Sequence, residues 1–226
     1  MSVTDKPPRA QPLFHGGAAA AARSPADPRV SFFDHHAPTW DQNGDDLAVT
    51  LKRLETLRGR LALVPGQEVL ELGCGTGRLT AWVVDCVRPG RVTAADFSPA
   101  MLARAQARNA ASEFWLLDIC APPPARDRFD VVFCFHAFPH FRDQLQALKH
   151  IAQLLKPGGR LIILHLVGRT RLNHFHAQLA HPVNHDRLPA REEWLALLNS
   201  ANLRLDAFVD EPDLFLLDAT ALKCCG

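Results

Sequence analysis

Apolar residues recur along the chain with two different periods. In NGDDLAVTLKRLETLRGRLAL, the residues Leu47, Leu51, Leu54, Leu57 and Leu61 fall three and four positions apart, which predicts an amphipathic helix. Beyond it the pattern changes to short, nearly continuous apolar runs: QEVLEL, RVTAAD, EFWLLD, FDVVFCF and GRLIILHL. Helix-compatible stretches, SPAMLARAQARNA and RDQLQALKHIAQLLKPGG, separate them, and this alternation predicts buried parallel strands joined by helices. The second of these helices is expected to close on a lysine followed by Pro-Gly-Gly. LPAREEWLALLNSAN predicts a further helix starting at Pro189, with Trp194, Leu197, Leu198 and Ala201 along one face. LRLDAFVD and DLFLLDATALK, separated by a turn, predict an antiparallel hairpin at the sheet edge. The expected fold class is α/β: a doubly wound, mostly parallel sheet with an antiparallel C-terminal hairpin. It occupies a single domain over residues 29–226, with residues 29–62 as an N-terminal lid and helix and residues 1–28 as a flexible tail.

Composition narrows the function classes. Hydrophobic residues make up 47% and charged residues 22% of the 226, the balance of a soluble globular domain. A net charge of +1 without a basic stripe argues against a nucleic-acid partner. No apolar run approaches the roughly 20 residues that span a bilayer, so no membrane partner is expected. The N-terminal segment lacks the apolar core of a secretory signal, and six scattered cysteines form no small-domain framework, so reduced thiols and a cytoplasmic location are expected.

The first apolar run leads into VLELGCGTGRL, placing Gly73, Gly75 and Gly77 at a strand-to-helix turn, where ligands of open α/β sheets bind. Arg78 stands where a dinucleotide fingerprint needs its last glycine, and Glu71 would repel a pyrophosphate but suit a cationic ligand. Asp96 closes the second strand, where a carboxylate can accept both ribose hydroxyls of an adenosine-type ligand. Asp118 closes the third and brings a second carboxylate near the adenine.

VLELGCGTG, AADFSPAML, LLD, FDVVFCFHAFPHF and LKPGGRLII, in this order, resemble the successive motifs of class I S-adenosylmethionine-dependent methyltransferases over roughly residues 32–222. The type-11 small-molecule branch, which includes quinone-ring and arsenite methyltransferases, is the most similar. The resemblance implies a Rossmann-like methyltransferase fold and S-adenosyl-L-methionine as cofactor. It assigns the methionine part to the glycine loop, the ribose to Asp96, and the adenine to Asp118 with Ile119. The implied cofactor set is Glu71, Gly73, Cys74, Gly75, Gly77, Asp96, Phe97, Asp118, Ile119 and Phe135. It also implies methyl transfer to a small-molecule acceptor through oxygen, nitrogen, sulfur or activated carbon, by a monomer or homodimer. Two other readings are a non-catalytic cofactor-binding sensor or partner subunit, and a metal-binding module on the same fold.

Histidines supply the remaining chemistry. His136 and His140 follow the fourth strand, His165 lies near the end of the fifth, and HFHAQLAHPVNHD in the expected loop 166–188 carries four more, all at the cofactor edge of the sheet. His140, His165 and His176 are the candidate catalytic bases, and the same three are the candidate ligands of a divalent metal. A solvated or structural role is the third reading. His150 is expected on a helix surface and His15 in the tail. Phe32, Phe33 and Trp40 are candidates for a lid or for capping the core, and Phe135, Phe138 and Phe141 for an apolar wall. Cys224 and Cys225 are expected in a frayed tail, and Cys74 and Cys134 complete no arsenic-binding trio.

Overall fold

The computed structural model describes residues 27–43, 46–126 and 128–222. The expectations for His15, Cys224, Cys225 and the segment before Asp27 fall outside these residues. Seven strands form one sheet: β1 (Glu68–Leu72), β2 (Arg91–Asp96), β3 (Glu113–Leu116), β4 (Phe129–Phe135), β5 (Leu155–His165), β6 (Leu203–Glu211) and β7 (Leu214–Ala221), in the order β3-β2-β1-β4-β5-β7-β6. The first five run parallel, and β7 pairs antiparallel with both β5 and β6. Strand order reverses between β1 and β4, so the crevice beyond their carboxyl ends is the place for a ligand.

Alternation along the strands feeds two core layers. Leu70, Val132 and Ile163 face α6 (Gln144–Leu154) and α8 (Arg191–Ser200), where Leu148, Ile151, Trp194 and Leu198 are buried. Val69, Val131, Ile162 and Leu164 face α3 (Leu47–Leu61) and α4 (Thr80–Val87) through Leu54, Leu61, Val83 and Val87. Each fully buried side chain of this size contributes about 1.5–3 kcal/mol of transfer free energy.

Several details depart from the expected pattern. β3 forms the sheet edge, so its apolar run is only partly buried, and Leu116 is 61% exposed. α6 ends at Leu154, and Lys156 belongs to β5, where it pairs with Asp130 at 2.9 Å. Pro157 disfavours helical backbone at the residue before it, which ends the helix early. Pro189 lies outside α8, ahead of the N-cap Ala190, whose N–H is accepted by Glu193 at 2.7 Å. The segment expected as a lid is helical, as α1 (Pro28–His36), a 3-10 turn (Ala37–Thr39) and α2 (Trp40–Asn43); Pro28 is therefore its first helical residue, capped by Asp27. The expected loop 166–188 contains a helix, α7 (Arg169–Ala177), which carries His174 and His176. His150 is buried on α6 rather than exposed, and its Nδ1 is 2.8 Å from the Ile119 carbonyl.

Candidate active site

The glycine loop folds over the end of β2. Gly73 and Cys74 donate their backbone N–H groups to the Ala95 carbonyl at 2.8 and 2.9 Å, and Gly75 donates to Asp96 Oδ2 at 2.8 Å. Gly73, at φ +75°, lies against the start of the turn after β4, where an added Cβ would stand 2.3 Å from Ala137 Cβ. Gly77, at φ +77°, lets the loop approach α5 (Pro99–Arg108), since a Cβ there would fall 2.9 Å from Ala105 Cα. These glycines are required by sterics, before any ligand is considered.

A cavity of about 540 Å³ opens beyond the strands, and Glu71, Gly73, Cys74, Gly75, Asp96, Phe97, Asp118, Ile119 and Phe135 all contribute to its wall. Gly77 does not, and its contact with α5 accounts for it. Glu71 is buried, and its Oε2 has no hydrogen-bond partner among the described residues. Burial pushes its carboxyl up to about 7, with Asp96 adding to the rise and Thr80 opposing it. A buried, unpartnered carboxylate oxygen at a cavity wall suits a cationic group. Burial also raises Asp96, to about 6, against the stabilising amides of Gly75 and Ser98. Each Asp96 oxygen keeps lone-pair capacity for a hydroxyl donor. Asp118 accepts from the Cys120 amide at 2.9 Å and ion-pairs with Arg142, while His150 anchors the neighbouring Ile119 carbonyl. This donor set fits an adenosine-type ligand with a cationic end. Burial pushes the Cys74 thiol up and holds the Cys134 thiol at about 12, so neither supplies a thiolate near neutrality.

The N-terminal helices close one side of the cavity. Asp34 accepts from Ser98 Oγ at 2.5 Å and from the Ala100 N–H at 3.1 Å, and Asp41 accepts from Thr76 Oγ1 at 2.5 Å and Arg108 Nη2 at 2.6 Å. Phe33 packs edge-on against Trp40, Phe97 and His140, with ring centroids 5.0–5.6 Å apart. Phe33, Trp40, Phe135, Phe141 and Phe175 give the chamber aromatic walls.

His140 and His176 line the cavity, with ring centroids 5.1 Å apart. His140 Nδ1 lies 2.7 Å from Asp186 Oδ2, and His176 Nδ1 lies 2.8 Å from the Asp186 carbonyl oxygen. Arg29, on α1, grips the same carboxylate through Nη2 at 2.5 Å and Nε at 3.0 Å. His165 is placed elsewhere. Its side chain is 1% exposed, absent from the cavity wall and packed against His136 and Phe215, and neither ring nitrogen has a hydrogen-bond partner among the described residues. Burial drives its pKa well below the usual histidine value, with nearby His136 adding to the effect.

A family model described as a methyltransferase domain matches residues 69–159. The chain is 33% identical to Methyltransferase GfsG of Streptomyces halstedii, over 64% of this chain and 55% of that protein. It is 28% identical to O-methyltransferase rstn1 of Aspergillus nomiae, over 81% of this chain and 86% of that one. Among solved structures, the putative methyltransferase of Haloferax volcanii, complexed with a Trm112 methyltransferase activator, superposes with a TM-score of 0.68 at 21% identity, covering 84% and 98% of the two chains. Residues 69–159 thus match a methyltransferase domain, set in a fold that the solved methyltransferase structures share. The chain spans about half the length of the first curated relatives that it matches.

Within the cavity the expected metal set does not assemble. His165 is sealed from the cavity, and the described residues contain no group of three or more histidine, cysteine, aspartate or glutamate side chains able to hold a metal ion. His136, which the sequence puts at this edge without marking it as a base or ligand, lines the cavity directly after β4, at φ +53°, and its Nε2 accepts the Leu166 N–H at 3.2 Å. Arg29 was missed. Its partner Asp186 lies 157 positions away, and no local signal joins them. No helix among the described residues is long and apolar enough to cross a membrane.

Proposed function

We propose that the protein methylates a hydroxyl of an apolar small molecule, with S-adenosylmethionine as donor and His140 as general base. The observation that carries this reading is the placement of His140 on the same cavity wall as Glu71 and Asp96, with its Nδ1 already held by Asp186. The neutral ring, protonated at Nδ1, presents Nε2 as its basic atom.

When bound, S-adenosylmethionine supplies a methyl group on a sulfonium centre that is displaced in line by a nucleophile. Glu71 would hold its cationic end, Asp96 the ribose hydroxyls, and Asp118 with Ile119 the base. The aromatic walls exclude water and align an apolar acceptor, and alignment is the main contribution an enzyme can make to a displacement of this kind. His140 removes the hydroxyl proton as the nucleophile attacks, and His176, whose Nδ1 is likewise occupied, offers a second acceptor that orients the hydroxyl. An oxygen acceptor is supported by the likeness to an O-methyltransferase along most of that protein's length. Among the described residues of the cavity wall, burial pushes the thiols of Cys74 and Cys120 up, which disfavours a role in holding a soft acceptor.

The test uses S-adenosylmethionine labelled in its methyl group with a panel of hydroxylated and amino-substituted aromatic acceptors. Label on a hydroxyl supports the reading. Tight cofactor binding with no transfer to any acceptor would point to a non-catalytic sensor.

A further inference from the structure

Asp186 joins α1 to the two cavity histidines. Its carboxylate is 3% exposed, with Arg29 Nη2 at 2.5 Å from Oδ1, Arg29 Nε at 3.0 Å from Oδ1 and 3.1 Å from Oδ2, and His140 Nδ1 at 2.7 Å from Oδ2. Its main-chain carbonyl holds the second cavity histidine, His176, at 2.8 Å. The guanidinium comes from α1, the helix that Asp34 fastens to the start of α5.

We infer that Arg29 and Asp186 are a positioning pair: the carboxylate, held against His140 by Arg29, fixes the ring in its Nδ1-H tautomer and leaves a basic Nε2 for the cavity. A guanidinium is donor-only, so the carboxylate edge it grips must accept. The other carboxylate oxygen also accepts, and the ring must therefore carry its proton on Nδ1. Without Arg29 the orientation of residue 186 is no longer dictated, and without a carboxylate the His140 proton has no fixed site. His176 is locked in the same tautomer by a main-chain carbonyl that no substitution at 186 removes, and it serves as an internal reference. This inference extends the reading of His140 as base, and it can be tested apart from that reading.

The substitution Asp186→Asn separates the two. Arg29 would draw the amide oxygen toward itself, which leaves the NH2 group facing His140 Nδ1. The ring must then accept at Nδ1 and carry its proton on Nε2. Replacing Arg29 as well, in Arg29→Met with Asp186→Asn, lets the amide turn its oxygen back to His140.

Long-range 1H–15N spectra of the full-length protein, at a pH where the rings are neutral and with His140 assigned by its loss in His140→Gln, read the tautomer directly. The expected result is Nδ1-H in the wild type, Nε2-H in Asp186→Asn and Nδ1-H again in the double variant, with His176 remaining Nδ1-H throughout. Nε2-H in the wild type would overturn the inference even if the variants failed to fold, and so would an unchanged tautomer in Asp186→Asn. If the tautomer switches as expected, transfer should fall about 10²–10⁴-fold in Asp186→Asn. A switched tautomer with undiminished transfer would support the positioning pair and remove His140 from the base role.

Discussion

At Asp96 a buried carboxylate already holds two backbone amides, and its remaining lone pairs are the acceptors we propose for the ribose. Asp96→Ala removes two hydrogen bonds to a charged group within the loop along with those offered to the ligand, each worth about 1.5–3 kcal/mol. Cofactor affinity in calorimetric titration is therefore expected to fall by at least about tenfold, and by 100-fold if two such bonds to the ligand are lost. The glycine turn and the carboxylate at the next strand end were legible in the sequence, because both are local signals. His165 was not legible. Its position at the end of β5 suggested the cavity, but pairing with Phe215 of β7 seals the ring against the hairpin, and only the register of a distant strand reveals that. The Arg29 contact with Asp186 and His140 was equally hidden, because it joins three separate segments of the chain.

Elements were legible where an apolar run or a helical period was strong. The parallel strands and the closing hairpin follow the sequence pattern closely. α7 was missed because RTRLNHFHA has only two large apolar residues, Leu172 and Phe175, and only the first is buried. α1 was missed because it is short, and its stability comes from Asp27 at the N-cap and from contacts with α5 instead of an amphipathic repeat. The glycine turn between β1 and α4 offers a prediction at this scale. Gly73→Ala places a Cβ 2.3 Å from Ala137 Cβ in a left-handed conformation. Overpacking of about 1–3 kcal/mol and backbone strain of about 1–2 kcal/mol add. Melting of the variant, followed by calorimetry or circular dichroism, is expected to show a fall of roughly 5–10 °C, with loss of cofactor binding.

For the molecule as a whole, two raised carboxyls couple folding and binding to pH. Glu71 and Asp96 hold protons in the folded protein at pH values where the unfolded chain has released them. The folded state thus binds more protons between about pH 4 and 7, and stability without cofactor must fall as pH rises through that window. For Glu71 alone, the rise from 4.5 to about 7 corresponds to about 3 kcal/mol, removed by Glu71→Gln. Denaturant melts at pH 5 and pH 8 should show the wild type losing more stability than the variant. A cationic ligand favours the ionised form, so cofactor affinity should increase with pH up to about 7, with proton release visible as a dependence of the binding enthalpy on buffer.

The most direct test of the account is single-turnover transfer of labelled methyl from S-adenosylmethionine to hydroxylated aromatic acceptors, comparing wild type with His140→Asn at matched cofactor occupancy. The account predicts label on a hydroxyl in the wild type and a rate about 10²–10⁴-fold lower in the variant, with cofactor affinity unchanged. Equal rates in the two proteins would contradict it.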